Sequence, residues 1–180
     1  MKSSAAFLAA IFMLACLAMP VASLESKFLT ICEKNLSIDL EPGFEIIYSK
    51  FDTSNNEMIS NDFFIADNAL PGSALISIMT VYDEILTKLN PDALSEIFLI
   101  GGVEAAKEDG AKEIGKWTAV DSRGRNVSVT TMKTADEDAK MLDGIYNISV
   151  WNLDGTNYAL LVSSFDEYNT TQIIKTLAVS

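Results

Sequence analysis

The stretch IYNISVWNLDGTNYALLVSSF, residues 145–165, is two apolar runs joined by Asp154-Gly155. Asp-Gly between runs rich in Ile, Val, Tyr and Leu is a strong short-range hairpin signal, because Gly supplies the positive φ of the tight turn. Ile145–Asn152 and Tyr158–Phe165 are therefore read as antiparallel strands. Just upstream, Lys116–Asp121 and Asn126–Lys133 flank Ser122-Arg123-Gly124-Arg125, a second short connection with Gly placed for positive φ. A polar loop, Thr134 to Asp143, separates the two hairpins. Downstream, Tyr168–Val179 carries Ile173, Ile174 and Leu177 on one face and closes the chain as a helix.

Further upstream the pattern changes to helical. Asn90-Pro91 offers a cap and a first-turn Pro, and Asp92 sits where the helix dipole favours a negative charge. Leu94, Ile97 and Phe98 then continue at helical spacing to about Asp109-Gly110. Gly101-Gly102 lies inside this helix at a propensity cost of about 1 kcal/mol per residue, which suggests a bend or the close approach of another element. Before it come Ala74–Tyr82, a buried-looking strand after the Pro71-Gly72 turn, and the short strand Phe63–Ile65. Asp52 to Glu57 reads as a polar loop. Leu36–Leu40 alternates as a half-buried strand, Glu41-Pro42-Gly43 turns the chain, and Phe44–Ser49 returns. Residues 24–35 form a lead-in, read as a short helix packing Phe28 and Leu29. Strands, helix, four hairpin strands and helix give an α+β fold, a mainly antiparallel sheet with helices packed on it, as one domain over residues 36–180.

Residues 1–23 read as a secretory signal. A lone Lys2 precedes an apolar run from Ala5 to Ala18, then Pro20 and the small-residue exit Val21-Ala22-Ser23, with cleavage expected after Ser23. Two alternatives stand beside cleavage: lipidation at Cys16 in Met13-Leu14-Ala15-Cys16, and an uncleaved anchor over Ala5–Ala22, just at the ~18–20 residues a bilayer core requires. The expected location is exported: extracellular, cell surface or periplasm. Membrane contact is expected only through this N-terminal segment, if it is retained.

Charge and composition exclude more than they assign. The chain has 13 basic and 25 acidic residues, a net charge of −12, which repels nucleic acid. It has no histidine, so a Ser-His-Asp triad, an HExxH zinc site and a histidine switch are all impossible. No SxxK, GxSxG or GxGxxG occurs. Beyond the leader Cys32 is the only cysteine, which points to burial as a small hydrophobe rather than a thiolate metal site. Paired carboxylates remain the only route to catalysis, as a carboxylate-only hydrolase, and no spacing nominates a pair. No cofactor and no enzymatic activity are expected.

Leu36-Ser37-Ile38-Asp39-Leu40-Glu41-Pro42-Gly43-Phe44 resembles the opening "strand, Pro-x-Gly-aromatic, strand" of the PsbP-like fold. That fold is shared by the extrinsic photosystem protein, Mog-type Ran-binding proteins and small exported proteins. Gly155-Thr156-Asn157-Tyr158-Ala159-Leu160-Leu161, running through Ser164-Phe165 into the last helix, resembles its closing strand and helix. The likeness covers residues 36–179 as topology and only these stretches as motif. Pro42 and Gly43 are adjacent here, Phe44 stands where Trp is common, and no histidine is present to hold a metal. The resemblance implies an α/β/α sandwich and nothing catalytic.

Several residue groups are candidates for chemistry. Asp136, Asp138 and Asp143, in the densest acidic stretch, could offer oxygens to calcium, although EF-hand spacing fails at Lys140 and Met141. The sequons at Asn35, Asn126, Asn147 and Asn169 are glycosylation candidates. Alternation along the strands predicts that Asn126 and Asn147 point outward, opposite Val127 and Ile148. Trp117, Trp151, Tyr146, Tyr158 and Phe165 lie on adjacent strands, where a shared exposed face could stack a sugar and core packing is the alternative. Arg123 and Arg125 are candidates for contact with an acidic partner protein or surface polymer. Together these readings predict an exported, non-catalytic binding or accessory domain, with a membrane-anchored structural envelope protein as the alternative.

Overall fold

The computed structural model describes residues 24–31, 34–54, 58–67, 72–134 and 144–179. Among the described residues ten strands occur in chain order: β1 (Glu25–Ile31), β2 (Lys34–Leu40), β3 (Phe44–Ser54), β4 (Met58–Asp67), β5 (Ser73–Val81), β6 (Lys112–Val120), β7 (Asn126–Lys133), β8 (Ile145–Asn152), β9 (Asn157–Ser163) and β10 (Ala178–Val179). Helix α1 (Pro91–Glu108) follows β5, and α2 (Glu167–Thr176) follows β9. The strands form a seven-stranded sheet in the order β3-β4-β5-β9-β8-β7-β6 and a three-stranded sheet in the order β1-β2-β10. Every pairing is antiparallel. The expected α+β class with a mainly antiparallel sheet is what the chain adopts.

The hairpin β8–β9 forms as its Asp-Gly predicts, with Gly155 at φ 97°. Asp154 completes the turn by accepting from the backbone N–H and side-chain amide of Asn157. β8 is central, and every residue from Tyr146 to Asn152 is buried, because both faces of the sheet are covered. On one face Tyr146, Ile148 and Val150 pack with Leu94, Leu99 and Val103 of α1. On the other, Trp151 joins Leu36, Ile38 and Leu40 of β2 and Ile173, Ile174 and Leu177 around α2. The small sheet and α2 thus cap one face and α1 the other. The helices sit where their apolar stripes meet the two sets of alternating strand residues.

Several boundaries differ from the sequence reading. The lead-in is not a helix. Glu25–Ile31 is β1, in continuous register with β2, and Phe28 is 75% exposed rather than packed. The turn at Pro42-Gly43 does not make a hairpin: β2 pairs with β1 and β10, whereas β3 pairs with β4. Gly43, at φ 105°, lets the chain turn a corner from the small sheet into the large one. β3 continues through the polar segment as far as Ser54 past an irregularity between Ser49 and Asp52, and Phe63–Ile65 is the middle of the ten-residue β4. The closing helix ends at Thr176, after which Ala178 and Val179 pair with Ser37 and Leu36.

The adjacent glycines of α1 do not seat another element tightly. A Cβ on Gly101 would meet open space, and one on Gly102 would lie 3.8 Å from Ile148 Cγ2, an ordinary contact.

Candidate functional site

Two clefts flank the central strands, one on each face of the large sheet. The first lies between the N-terminal half of α1 and the ends of β7 and β8, with a volume of about 370 Å³. Its chemistry is set by the β6–β7 turn. Asp121 is buried to 4% exposure and accepts from the backbone N–H groups of Arg123 and Arg125 and from Arg125 Nε and Nη2. The guanidinia of both arginines also donate to the Asn152 carbonyl oxygen at the end of β8. Burial pushes the Asp121 carboxyl up, but the hydrogen bonds from the Arg125 side chain and from both backbone N–H groups outweigh it. The net result holds the carboxyl below the usual aspartate range. Arg125 Nη1 stands 3.7 Å from Asp92 Oδ1 at the cleft mouth. Arg123 and Arg125, expected to meet a partner, are therefore tied largely to the protein's own Asp121 in the β6–β7 turn and to Asn152 of β8.

The second cleft, about 610 Å³, lies on the opposite face, where β6, β7 and β8 meet the start of α2. One wall is the half-buried ring of Trp117 together with Ile145, which is 54% exposed. The floor is a chain of hydrogen bonds. Trp117 Nε1 donates to Thr131 Oγ1 (3.3 Å), Thr131 Oγ1 donates to Asn147 Oδ1 (2.8 Å), and Asn147 Nδ2 donates to the Phe165 carbonyl (3.3 Å). The rim carries Asp166, Glu167 and Asn169 from the first turn of α2. Asp166 caps that helix by accepting from the backbone N–H of Asn169, and it also accepts from the Asn169 side-chain amide. The cleft thus offers an indole face, an apolar neighbour, a partly satisfied amide on the floor and carboxylates at the rim. That set suits a polar ring with one apolar face.

The aromatic residues do not share an exposed face. Tyr146 and Tyr158 point to the α1 side, where Tyr158 meets Phe98 edge-on at 5.5 Å. Trp151 and Phe165 are buried on the α2 side, with Phe165 edge-on to Phe44 at 5.2 Å. Trp117, half-buried, and Phe165, buried, both line the second cleft, and the buried Trp151 lines the first. The sequons also divide. Asn35 and Asn126 are exposed, whereas Asn169 is half-buried. Asn147, expected to point outward, is buried instead, and both ends of its amide are hydrogen-bonded on the floor of the second cleft. Its face is opposite Ile148 as predicted, but that face is covered by α2 and the small sheet.

Asp136, Asp138, Asp143, Cys32 and residues 1–23, with the expected signal and Cys16, lie outside the described residues. Among the described residues no group of three or more Cys, Asp or Glu converges to hold a metal ion, and no helix is long and apolar enough to cross a membrane.

The second cleft was only partly legible. Trp117, Asn147 and Asn169 stand out as an aromatic and two sequons. Thr131, Ile145, Asp166 and Glu167 carry no motif and are joined to them only by strand register, through Thr131↔Asn147 and Asn147↔Ser163. No family model, curated protein or solved structure matches this chain.

Proposed function

We propose that this protein is an exported, non-catalytic binding or accessory domain of the cell surface or periplasm, built on a PsbP-like plan. Its ligand is a neutral sugar ring or a similarly amphipathic polar ring held in the Trp117 cleft. One observation carries the reading: Trp117 and Ile145 form an accessible apolar wall beside the Thr131–Asn147 hydrogen-bond chain, in a cleft of ligand size. Stacking on the indole provides affinity, while Asn147 and the Asp166–Asn169 rim orient hydroxyl groups. Residues 1–23, read as a secretory signal, support export. The acidic field of the chain disfavours nucleic acid and anionic polymers as partners.

Titration of neutral mono- and oligosaccharides against intrinsic tryptophan fluorescence tests this. Binding of at least one sugar is expected to change the emission. Trp117→Ala is expected to weaken that binding about tenfold, the upper part of what an aromatic contact contributes. A sugar panel that leaves both fluorescence and melting temperature unchanged would overturn the reading, as would binding that survives Trp117→Ala. Calcium belongs in the same panel, since Asp136, Asp138 and Asp143 are candidate ligands for it. A calcium-dependent rise in melting temperature lost on Asp136→Asn and Asp138→Asn together would assign the metal to that loop.

A further inference from the structure

We infer that the free edge of β1 pairs with the β1 of a second copy of this chain, so that the protein associates as a two-fold dimer. This goes beyond the proposed sugar site and does not depend on it.

Edge strands expose unpaired backbone N–H and C=O groups, and folds normally blunt them with bulges, short length or charge. Among the described residues three of the four sheet edges are blunted. β3 is irregular between Ser49 and Asp52. β6 is irregular between Glu113 and Gly115 and carries Lys112 and Lys116 along the edge. β10 has only two residues. β1 is different. It is seven residues long and in unbroken register with β2, from Glu25↔Leu40 to Ile31↔Lys34. Among the described residues no strand pairs with its other side, and Ser26, Lys27 and Phe28 line a groove of about 570 Å³ with Phe44, Glu45 and Ile46. Phe28, at 75% exposure, and Leu24, at 40%, stand out as uncovered apolar side chains on this segment.

The occupant follows from complementarity. Antiparallel self-pairing centred on Ser26 places Glu25 of each copy opposite Lys27 of the other, and Leu24 opposite Phe28. In one chain Lys27 Nζ already reaches Glu25 Oε2 at 2.7 Å, so the two charges share one face and present a matched pair to a copy of themselves. Two opposite-charge pairs and two apolar pairs, all related by the two-fold axis, then extend the three-stranded sheet across the interface. A strand of fixed single-sign charge would lack this match.

Sedimentation velocity over a concentration series, on the protein as the exporting cell processes it, provides the test. The unaltered protein is expected to dimerise. Lys27→Glu sets like charges opposite each other and is expected to raise the dimer Kd about tenfold or more. Glu25→Lys combined with Lys27→Glu reverses both charges and is expected to restore the dimer. Because both side chains are solvent-accessible, melting temperatures should show all variants folded. Ser26→Cys in a Cys32→Ser background adds a register-specific readout, since residues directly opposite in a ladder have the Cα spacing a disulfide accepts. A protein that stays monomeric at every soluble concentration overturns the inference. So does a dimer indifferent to Lys27→Glu, or a charge reversal that fails to restore pairing.

Discussion

Asp121 has four hydrogen-bond donors converging on one buried carboxylate, which makes it the residue on which the β6–β7 turn depends. Asp121→Asn keeps the size but removes the charge. The remaining oxygen still serves both backbone N–H groups, as Oδ1 does in the unaltered protein, but an amide nitrogen that cannot accept replaces Oδ2, so both bonds from Arg125 Nε and Nη2 are lost. We expect a loss of about 2 kcal/mol, between an ordinary hydrogen bond and a fully buried ion pair, because Arg125 remains partly in water. Urea unfolding at neutral pH measures it. The pH dependence has a definite sign. The folded carboxyl lies below the ordinary aspartate value of about 3.9, so its stabilisation is complete above that pH and disappears as pH falls through the lower folded value. The acid limb of the stability curve should therefore be shallower in Asp121→Asn than in the unaltered protein, and parallel limbs would refute the assignment. The turn itself was legible, since Gly124 has φ 78° as the spacing predicted. The role of its arginines was not, because their shared acceptor, the Asn152 carbonyl, is 27 residues away from Arg125 and reaches it only through the β7–β8 register.

At the level of elements, α1 is the clearest success of sequence reading, and its glycines are the exception. Asn90 caps it by accepting from the N–H groups of Asp92 and Ala93, as Asn-Pro-Asp implied. Asn90→Ala should cost about 1 kcal/mol. The expectation of a close approach at Gly101-Gly102 leads to a prediction of the opposite sign. Gly101 is exposed with open space beyond it, so Gly101→Ala should stabilise the protein by about 0.5–1 kcal/mol through helix propensity alone. Gly102→Ala should move the same way, since its new methyl would meet Ile148 at ordinary van der Waals distance. Thermal midpoints of the two variants check this, and a fall in either would mean the helix requires glycine there. The strands that were missed or shortened share one cause. β1, the end of β3, the start of β4 and the start of β6 (Lys112–Gly115) are edge or polar segments paired by backbone ladders. They carry little of the apolar alternation that marks a half-buried strand in sequence. By contrast, the bounds of β7 and β8 follow the sequence pattern closely, because β8 is covered on both sides and its apolar run is unbroken.

The whole molecule is two sheets joined through one core, and that coupling sets how it should unfold. Leu36, Ile38 and Leu40 of the small sheet pack in the same cluster as Phe63, Ile76 and Leu161 of the large one. Thr176 at the end of α2 reinforces the junction. Its Oγ1 donates to the Asp39 carbonyl and accepts from the Asp39 N–H, and Ser122 Oγ donates to the Leu177 carbonyl. None of this was readable in advance, because the corner at Gly43 and the return of β10 are decided by which edge the chain meets, not by local pattern. A small sheet with its own core could melt separately. This one shares its buried face, Leu36, Ile38 and Leu40, with the large sheet, so it should not. Ile38→Ala, at a site 1% exposed, should cost about 2–5 kcal/mol. It should also lower the unfolding midpoint read by the emission of Trp117 and Trp151, both in the large sheet, by as much as the midpoint read by far-ultraviolet dichroism. Coincident curves in both proteins would establish a single cooperative unit. A variant whose tryptophan transition stays in place while the dichroism splits into two steps would instead show the small sheet to be an independently melting layer.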